Sequence, residues 1–164
     1  MENLLALDQA SVTTGYAIFQ DKKLVKYGKF TLDDPNVGIR LAVLRQTLFD
    51  LIKEYNITCI AFEDIQLQAS VGNNVKTFKV LANVFGVIWE LCEELKLNYE
   101  IVSSNTWKST LKIRGKNRAE QKRAAQAFVQ DEYGMACTQD EADAICIGSH
   151  MLKTSEFFTS AWAD

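Results

Sequence analysis

The chain has 164 residues, 48% hydrophobic and 24% charged, with a formal net charge of −3. That balance fits one globular domain over residues 1–164 with a full core, and excludes a disordered or fibrous chain. No apolar run reaches the roughly 20 residues of a membrane helix, and the opening MENLL is unlike a secretory signal. A cytoplasmic protein without a membrane partner is therefore expected. Cys59, Cys92, Cys137 and Cys146 lack CxxC spacing and His150 is the one histidine, which argues against zinc and for reduced thiols. Cys59 and Cys146 sit in apolar runs and read as small buried hydrophobes.

In chain order, LLALD (4–8) reads as a buried strand that ends in a carboxylate. After the turn SVTTG, GYAIF (15–19) is a second strand, and a tight turn at QDKK leads to a third, LVKYGKF (24–30). These three form an antiparallel meander. Asp33, Asp34 and the single proline, Pro35, precede a helix from Ile39 to Tyr55, with leucines and isoleucine at helical spacing. CIAFE (59–63) is a short apolar strand that again ends in an acid.

IQLQASVGNN (65–74) reads as a loop, followed by a long helix to about Leu97 and a strand YEIVS (99–103). SNTWKSTLKIRGK is irregular or a short helical turn. Asn117 with Glu120, and Thr138 with Glu141, have capping-box spacing, opening helices to about Glu132 and Met151. The order β-β-β-α-β-α-β-α-α implies an α/β fold: a five-stranded mixed sheet, antiparallel 1-2-3 and parallel 1-4-5, with helices on both faces.

The charge is segregated. Between positions 108 and 123, Lys108, Lys112, Arg114, Lys116, Arg118, Lys122 and Arg123 stand against Glu120 alone, a local +6 on a remainder of −9. On charge alone this is equally a polyanion-binding surface or a solvated helix face.

The acids supply the second signal. Parallel strands 1 and 4 would bring Asp8 and Glu63 to one sheet edge, and the spacing of three puts Asp140 and Asp143 on one helical face. Singly, each has a structural explanation: helix-dipole complementation at 140 or 141, turn amides at Asp8, or a solvent-exposed strand end at Glu63. As a set, four converging carboxylates repel one another unless cations lie between them. Hard oxygen donors without histidine favour Mg²⁺ or Mn²⁺.

LLALDQASVTTGYAIF, IAFEDI and DEADAICIG, in this order and spacing from residue 4 to about 151, resemble the RuvC-like Holliday-junction resolvases of the RNase H-like nuclease superfamily, in their compact bacteriophage-type branch. The resemblance implies that Asp8, Glu63, Asp140 and Asp143 are catalytic ligands of two Mg²⁺ ions, with Mn²⁺ an acceptable substitute and Asp8 the bridge. It implies phosphodiester hydrolysis to 5′-phosphate and 3′-hydroxyl ends, by a homodimer that makes paired nicks in four-way and other branched DNA. It also assigns the basic segment to the DNA backbone, with Lys116 or Lys122 near the scissile phosphate.

The chain departs from that family's pattern at Gln9-Ala10, where Pro-Gly is usual, and at Gln66, where an aromatic is common; the loop 65–77 is also longer. Relaxed sequence preference is the expectation. The rival readings are a non-catalytic junction-binding module and an RNase H-type nuclease of RNA–DNA hybrids. An actin-like ATPase is disfavoured, because Asp8-Gln9-Ala10-Ser11 lacks the phosphate-binding glycine. Trp107 is expected to stack on DNA or to pack beneath the basic loop, Trp89 to lie in the core or at a dimer seam, and His150 to cap polar groups.

Overall fold

The computed structural model describes residues 2–66 and 74–155. The strands β1 (Asn3–Asp8), β2 (Thr13–Gln20), β3 (Lys23–Thr31), β4 (Cys59–Glu63) and β5 (Asn98–Val102) form one sheet in the order β3-β2-β1-β4-β5. β1 pairs antiparallel with β2 and parallel with β4, and β4 pairs parallel with β5. The expected topology holds. The hairpin joining β2 to β3 turns on Asp21 and Lys22, both at positive φ (51° and 63°). Two left-handed residues match the twist of a two-residue hairpin, here without a glycine.

β1 lies at the centre, and Leu4, Leu5, Ala6 and Leu7 are all fully buried. A strand covered on both faces reads as an unbroken apolar run, because alternate side chains enter different cores. Leu4 and Ala6, with Cys59 and Ala61 of β4, join the core under α3 (Ser104–Thr110), α4 (Arg118–Tyr133) and α5 (Gln139–Thr154). Leu5, Leu7, Ile60 and Phe62 join the core under α1 (Val37–Glu54) and α2 (Asn74–Glu94). Cys59, Cys92 and Cys146 are free and buried, as the apolar runs around the first and last of them implied.

The helix ends follow local chemistry. Thr138 and Glu141 form the complete capping box that opens α5. At α4 only half the box forms. Asn117 accepts from the Glu120 N–H, but the Glu120 carboxylate accepts from the Lys116 N–H, one residue earlier than expected. The segment read as irregular or a short helical turn contains α3, capped by Ser103.

α2 stops short of the expected Leu97. Lys96 adopts φ 54° and the Leu97 N–H donates to the Cys92 carbonyl at 2.9 Å. Asn56 (φ 50°) ends α1 in the same way, with Ile57 N–H donating to the Ile52 carbonyl. These closures satisfy late helical carbonyls through a left-handed residue. A lysine in that role gives no sequence signal.

α5 is the most deeply set helix, with all but one of the residues from Ala142 to Met151 buried. Two glycines let it approach the sheet. A Cβ on Gly148 would lie 2.1 Å from the Phe19 ring, and one on Gly15 would lie 2.1 Å from the Asp140 carbonyl oxygen. The second obstacle is backbone, so it yields only if the first turn of α5 moves. Gly15→Ala is expected to lower stability by about 1–3 kcal/mol, read as a lower denaturation midpoint. An unchanged midpoint would show that the α5–β2 contact has slack the packing does not suggest.

Candidate metal and nucleic-acid site

Parity along the strands builds the site. Leu4, Ala6 and Asp8 share one face of β1, as Cys59, Ala61 and Glu63 share one face of β4, because side chains alternate with period two. Both sets face α5. The parallel register pairs Leu7 with Phe62, so Asp8 and Glu63 come next on the two strands, at the same edge. Opposite Asp8 on β2 stands Gly15, against which the backbone of Asp140 rests. One backbone contact thus sets the first turn of α5, with Asp140 and Asp143, beside the strand-end acids.

Asp8, Glu63, Asp140 and Asp143 all line one cleft of about 470 Å³. Burial pushes the Asp8 carboxyl well above the usual carboxylate range, and the charges of Asp143, Glu63 and Asp140 push it further, against a pull from Lys122. Burial also raises Glu63, opposed by the hydrogen bond from Trp107, and raises Asp143, opposed by Lys122 and Lys108. The Trp107 indole N–H donates to Glu63 Oε2 at 2.9 Å, and Lys122 Nζ lies 3.6 Å from Asp143 Oδ2. The positive end of the α5 dipole adds a small favourable term.

Whether these residues fit a cation follows from the donor set. The four carboxylates, with a fifth at the exposed Asp64 and no histidine or thiolate among the cleft residues, are hard oxygen ligands of the kind that Mg²⁺ and Mn²⁺ take. The mutual repulsion that raises Asp8 is what a divalent ion would relieve. As the side chains stand, no three His, Cys, Asp or Glu residues among those described are drawn tightly enough to grip an ion. Glu63 leans to Trp107 and Asp143 to Lys122, so the cleft holds the right donors in an open arrangement. The residues fit the ion by chemistry and by shared location.

The basic segment divides. Lys108, Arg118 and Lys122 line the carboxylate cleft. Lys112, Arg114, Lys116 and Arg123 are exposed and lie outside its lining. Of the two candidates for the reacting phosphate, the structure puts Lys122 among the acids and leaves Lys116 outside. The turn between α3 and α4 is fixed from within. Lys112 is left-handed (φ 57°), and Gln121 donates to the Gly115 carbonyl while accepting from Lys108 Nζ.

Three aromatic or imidazole readings are refined. Trp107 is 1% exposed, so it packs, and does not stack on a ligand; its contribution is the hydrogen bond to Glu63. Sequence spacing held no sign of that bond. Trp89 is 44% exposed, meets Phe85 edge-on and donates to the Tyr99 hydroxyl. It is therefore not a core residue. His150 is buried; its Nε2 lies 3.4 Å from the Thr154 hydroxyl, and its Nδ1 has no partner.

Gln66 is exposed at the cleft rim. Of the loop 65–77, residues 67–73 lie outside the described residues. Gln9, which the sequence marked only as a departure, joins β1 to β4 through two hydrogen bonds to the Glu63 backbone.

No family model and no curated protein matches the chain. Among solved structures it is similar to Thermus thermophilus RuvC in complex with a Holliday junction substrate, with a TM-score of 0.75 and 11% identity over 98% of this chain and 96% of that one. It is similar to the yeast mitochondrial Holliday junction resolvase Ydc2, with a TM-score of 0.57 and 13% identity over 91% and 77%. The fowlpox virus resolvase, solved with its substrate Holliday junction DNA, gives a TM-score of 0.52 and 13% identity over 98% and 99%. The five-stranded 3-2-1-4-5 sheet with helices on both faces, aligned to those structures over nearly all of this chain, is the RuvC-like form of the RNase H-like fold.

Proposed function

We propose that this chain is a structure-selective endonuclease of branched DNA, hydrolysing phosphodiester bonds in four-way junctions to leave 5′-phosphate and 3′-hydroxyl ends. One observation carries the reading: four acids from β1, β4 and α5 share a cleft whose wall also holds Lys108, Arg118 and Lys122. Carboxylates alone repel DNA. Carboxylates beside lysines, in a hard-donor pocket, suit a phosphate held together with divalent cations. All four acids are present, which favours an enzyme over a binding module that has kept only the fold.

In this reading Asp8, Glu63, Asp140 and Asp143 hold two Mg²⁺ ions. When bound, such ions supply Lewis acidity, making an attacking water more acidic and stabilising charge on the leaving 3′ oxygen. The chain's own residues do the rest. Trp107 holds one oxygen of Glu63 in place. Lys122 balances Asp143 and is placed to take a phosphate oxygen, while Lys108 and Arg118 hold the strand on either side. The exposed Lys112, Arg114, Lys116 and Arg123 extend the backbone contact away from the cleft.

Trp107 is the one aromatic among the described cleft residues and it is buried, so no ring there is free to stack on a base. This supports cutting directed by branch structure with relaxed sequence preference. Two copies of the chain, each with one cleft, would supply the paired nicks of a resolution reaction. The relatives' own substrates, Holliday junctions in two of the structures named above, favour the same substrate class here.

The deciding experiment offers Mg²⁺ and the protein four-way, three-way and flap DNA, linear duplex and RNA–DNA hybrid. Paired nicking of the four-way junction is expected. Cleavage of the hybrid alone would make the protein an RNase H-type enzyme, and tight junction binding without any cleavage would make it a binding module. Asp8→Asn is expected to reduce cleavage to background with junction affinity equal or higher, since a negative charge beside DNA is lost. Full cleavage by that variant overturns the site.

Charge neutralisation of Lys112, Lys116 and Lys122 together is expected to weaken junction binding. The slope of log affinity against log salt should flatten by about 0.9 for each lysine that touches a phosphate. Unchanged binding would remove the basic segment from the DNA surface.

The raised carboxyls give a pH signature. A carboxyl whose pKa is higher in the folded than in the unfolded chain keeps its proton in the folded state after the unfolded chain has released it. Metal-free stability therefore falls as pH rises from the ordinary carboxylate range through the raised values of Asp8, Glu63 and Asp143. The melting temperature without metal should drop over that interval, less steeply in Asp8→Asn. The gain on adding Mg²⁺ should grow over the same interval, because the cation binds the deprotonated set. A Mg²⁺ increment that is absent, or equal at all pH values, contradicts the metal site.

A further inference from the structure

We infer that Gln9 is a positioning residue for the carboxylate cleft, its side-chain amide serving as one more rung between β1 and β4 and fixing Glu63 relative to Asp8. This rests on the proposed metal-binding reading of the cleft and adds to it a residue that acts through the Glu63 backbone.

The backbone register of β1 with β4 runs from Leu4 and Cys59 to Leu7 and Phe62 and ends there. On its other side Glu63 is still in register with Val102 of β5, and the next N–H, of Asp64, donates to the Val102 carbonyl. The Glu63 carbonyl, which faces β1, lies beyond the last register pair and has no partner strand residue opposite it. Gln9 supplies a partner. Its Nε2 donates to the Glu63 carbonyl at 2.6 Å, and its Oε1 accepts from the Glu63 N–H at 3.1 Å. One side chain thus meets both backbone groups of one residue, as a neighbouring strand would.

Only a primary amide does this at this position. It presents a donor and an acceptor side by side, and the two bonds together fix which end is which. A glutamate of the same length would set an oxygen against the Glu63 carbonyl and add another negative charge to the cleft. An asparagine is one methylene too short. A methionine fills the space but removes the donor to the Glu63 carbonyl next to a desolvated carboxylate. The amide also lines the cleft itself, so the strap closes at the site and not behind it. Gln9 directly follows Asp8, so tying it to Glu63 couples the two strand-end acids through a few covalent bonds on each side.

The role is tested by Mn²⁺ binding to the DNA-free full chain, followed by electron paramagnetic resonance, with melting measured in EDTA. Wild type should bind Mn²⁺, and Asp8→Asn should lose that signal. Gln9→Met should weaken Mn²⁺ binding about tenfold or more, the scale seen when groups that orient metal ligands are removed. Gln9→Asn, which keeps the amide but cannot span the gap, should do the same and covers the case in which Gln9→Met does not fold. Variants that melt earlier in EDTA yet bind Mn²⁺ as wild type does would make Gln9 a structural strap only, and would overturn the inference. Absence of Mn²⁺ binding by wild type is a different result, which removes the metal reading and this inference together.

Discussion

The site depends on how closely the first turn of α5 can approach the sheet. Gly15 faces Asp8 across the β1–β2 ladder, and the Asp140 backbone occupies the space a side chain at position 15 would fill. Without that contact, two acids on a helix and two at strand ends would be separate surface features. With it, they share one cleft. The glycine in VTTGYAIF is needed for the missing Cβ, because its φ lies outside the left-handed range.

Bringing acids together under partial burial has an electrostatic cost, and the surroundings of the cleft reduce it unevenly. Glu63 has the Trp107 indole and Asp143 has Lys122, each a fixed partner that offsets part of the desolvation. Among the described residues Asp8 has no such direct partner; burial and three neighbouring carboxylates act on it together, against a more distant Lys122. The least compensated acid is the central one, on the central strand. In the proposed reading, a divalent cation bound there would offset that repulsion, which links the fold's stability to its proposed chemistry.

The basic segment shows how one run of charge serves two places. Helical geometry and the clamped turn from Leu111 to Asn117 put Lys108, Lys122 and the exposed Arg118 on the wall of the carboxylate cleft and leave the other four cations outside it. In the proposed reading, a phosphate entering the cleft would meet cations and acids side by side on its wall.

Much of this was legible in the residues themselves. Unbroken apolar runs marked the central strands, the acid closing each run placed Asp8 and Glu63 at strand ends, and the i, i+3 spacing paired Asp140 with Asp143, because these are local properties of a chain. Capping residues marked α4 and α5 for the same reason. Tertiary structure alone decided which lysines enter the cleft, that Trp107 is buried and holds Glu63, that Lys96 ends α2, and that Gln9 extends the β1–β4 ladder. Each of these depends on a contact between remote segments or on a left-handed residue without the usual glycine, and neither leaves a periodic trace in the sequence.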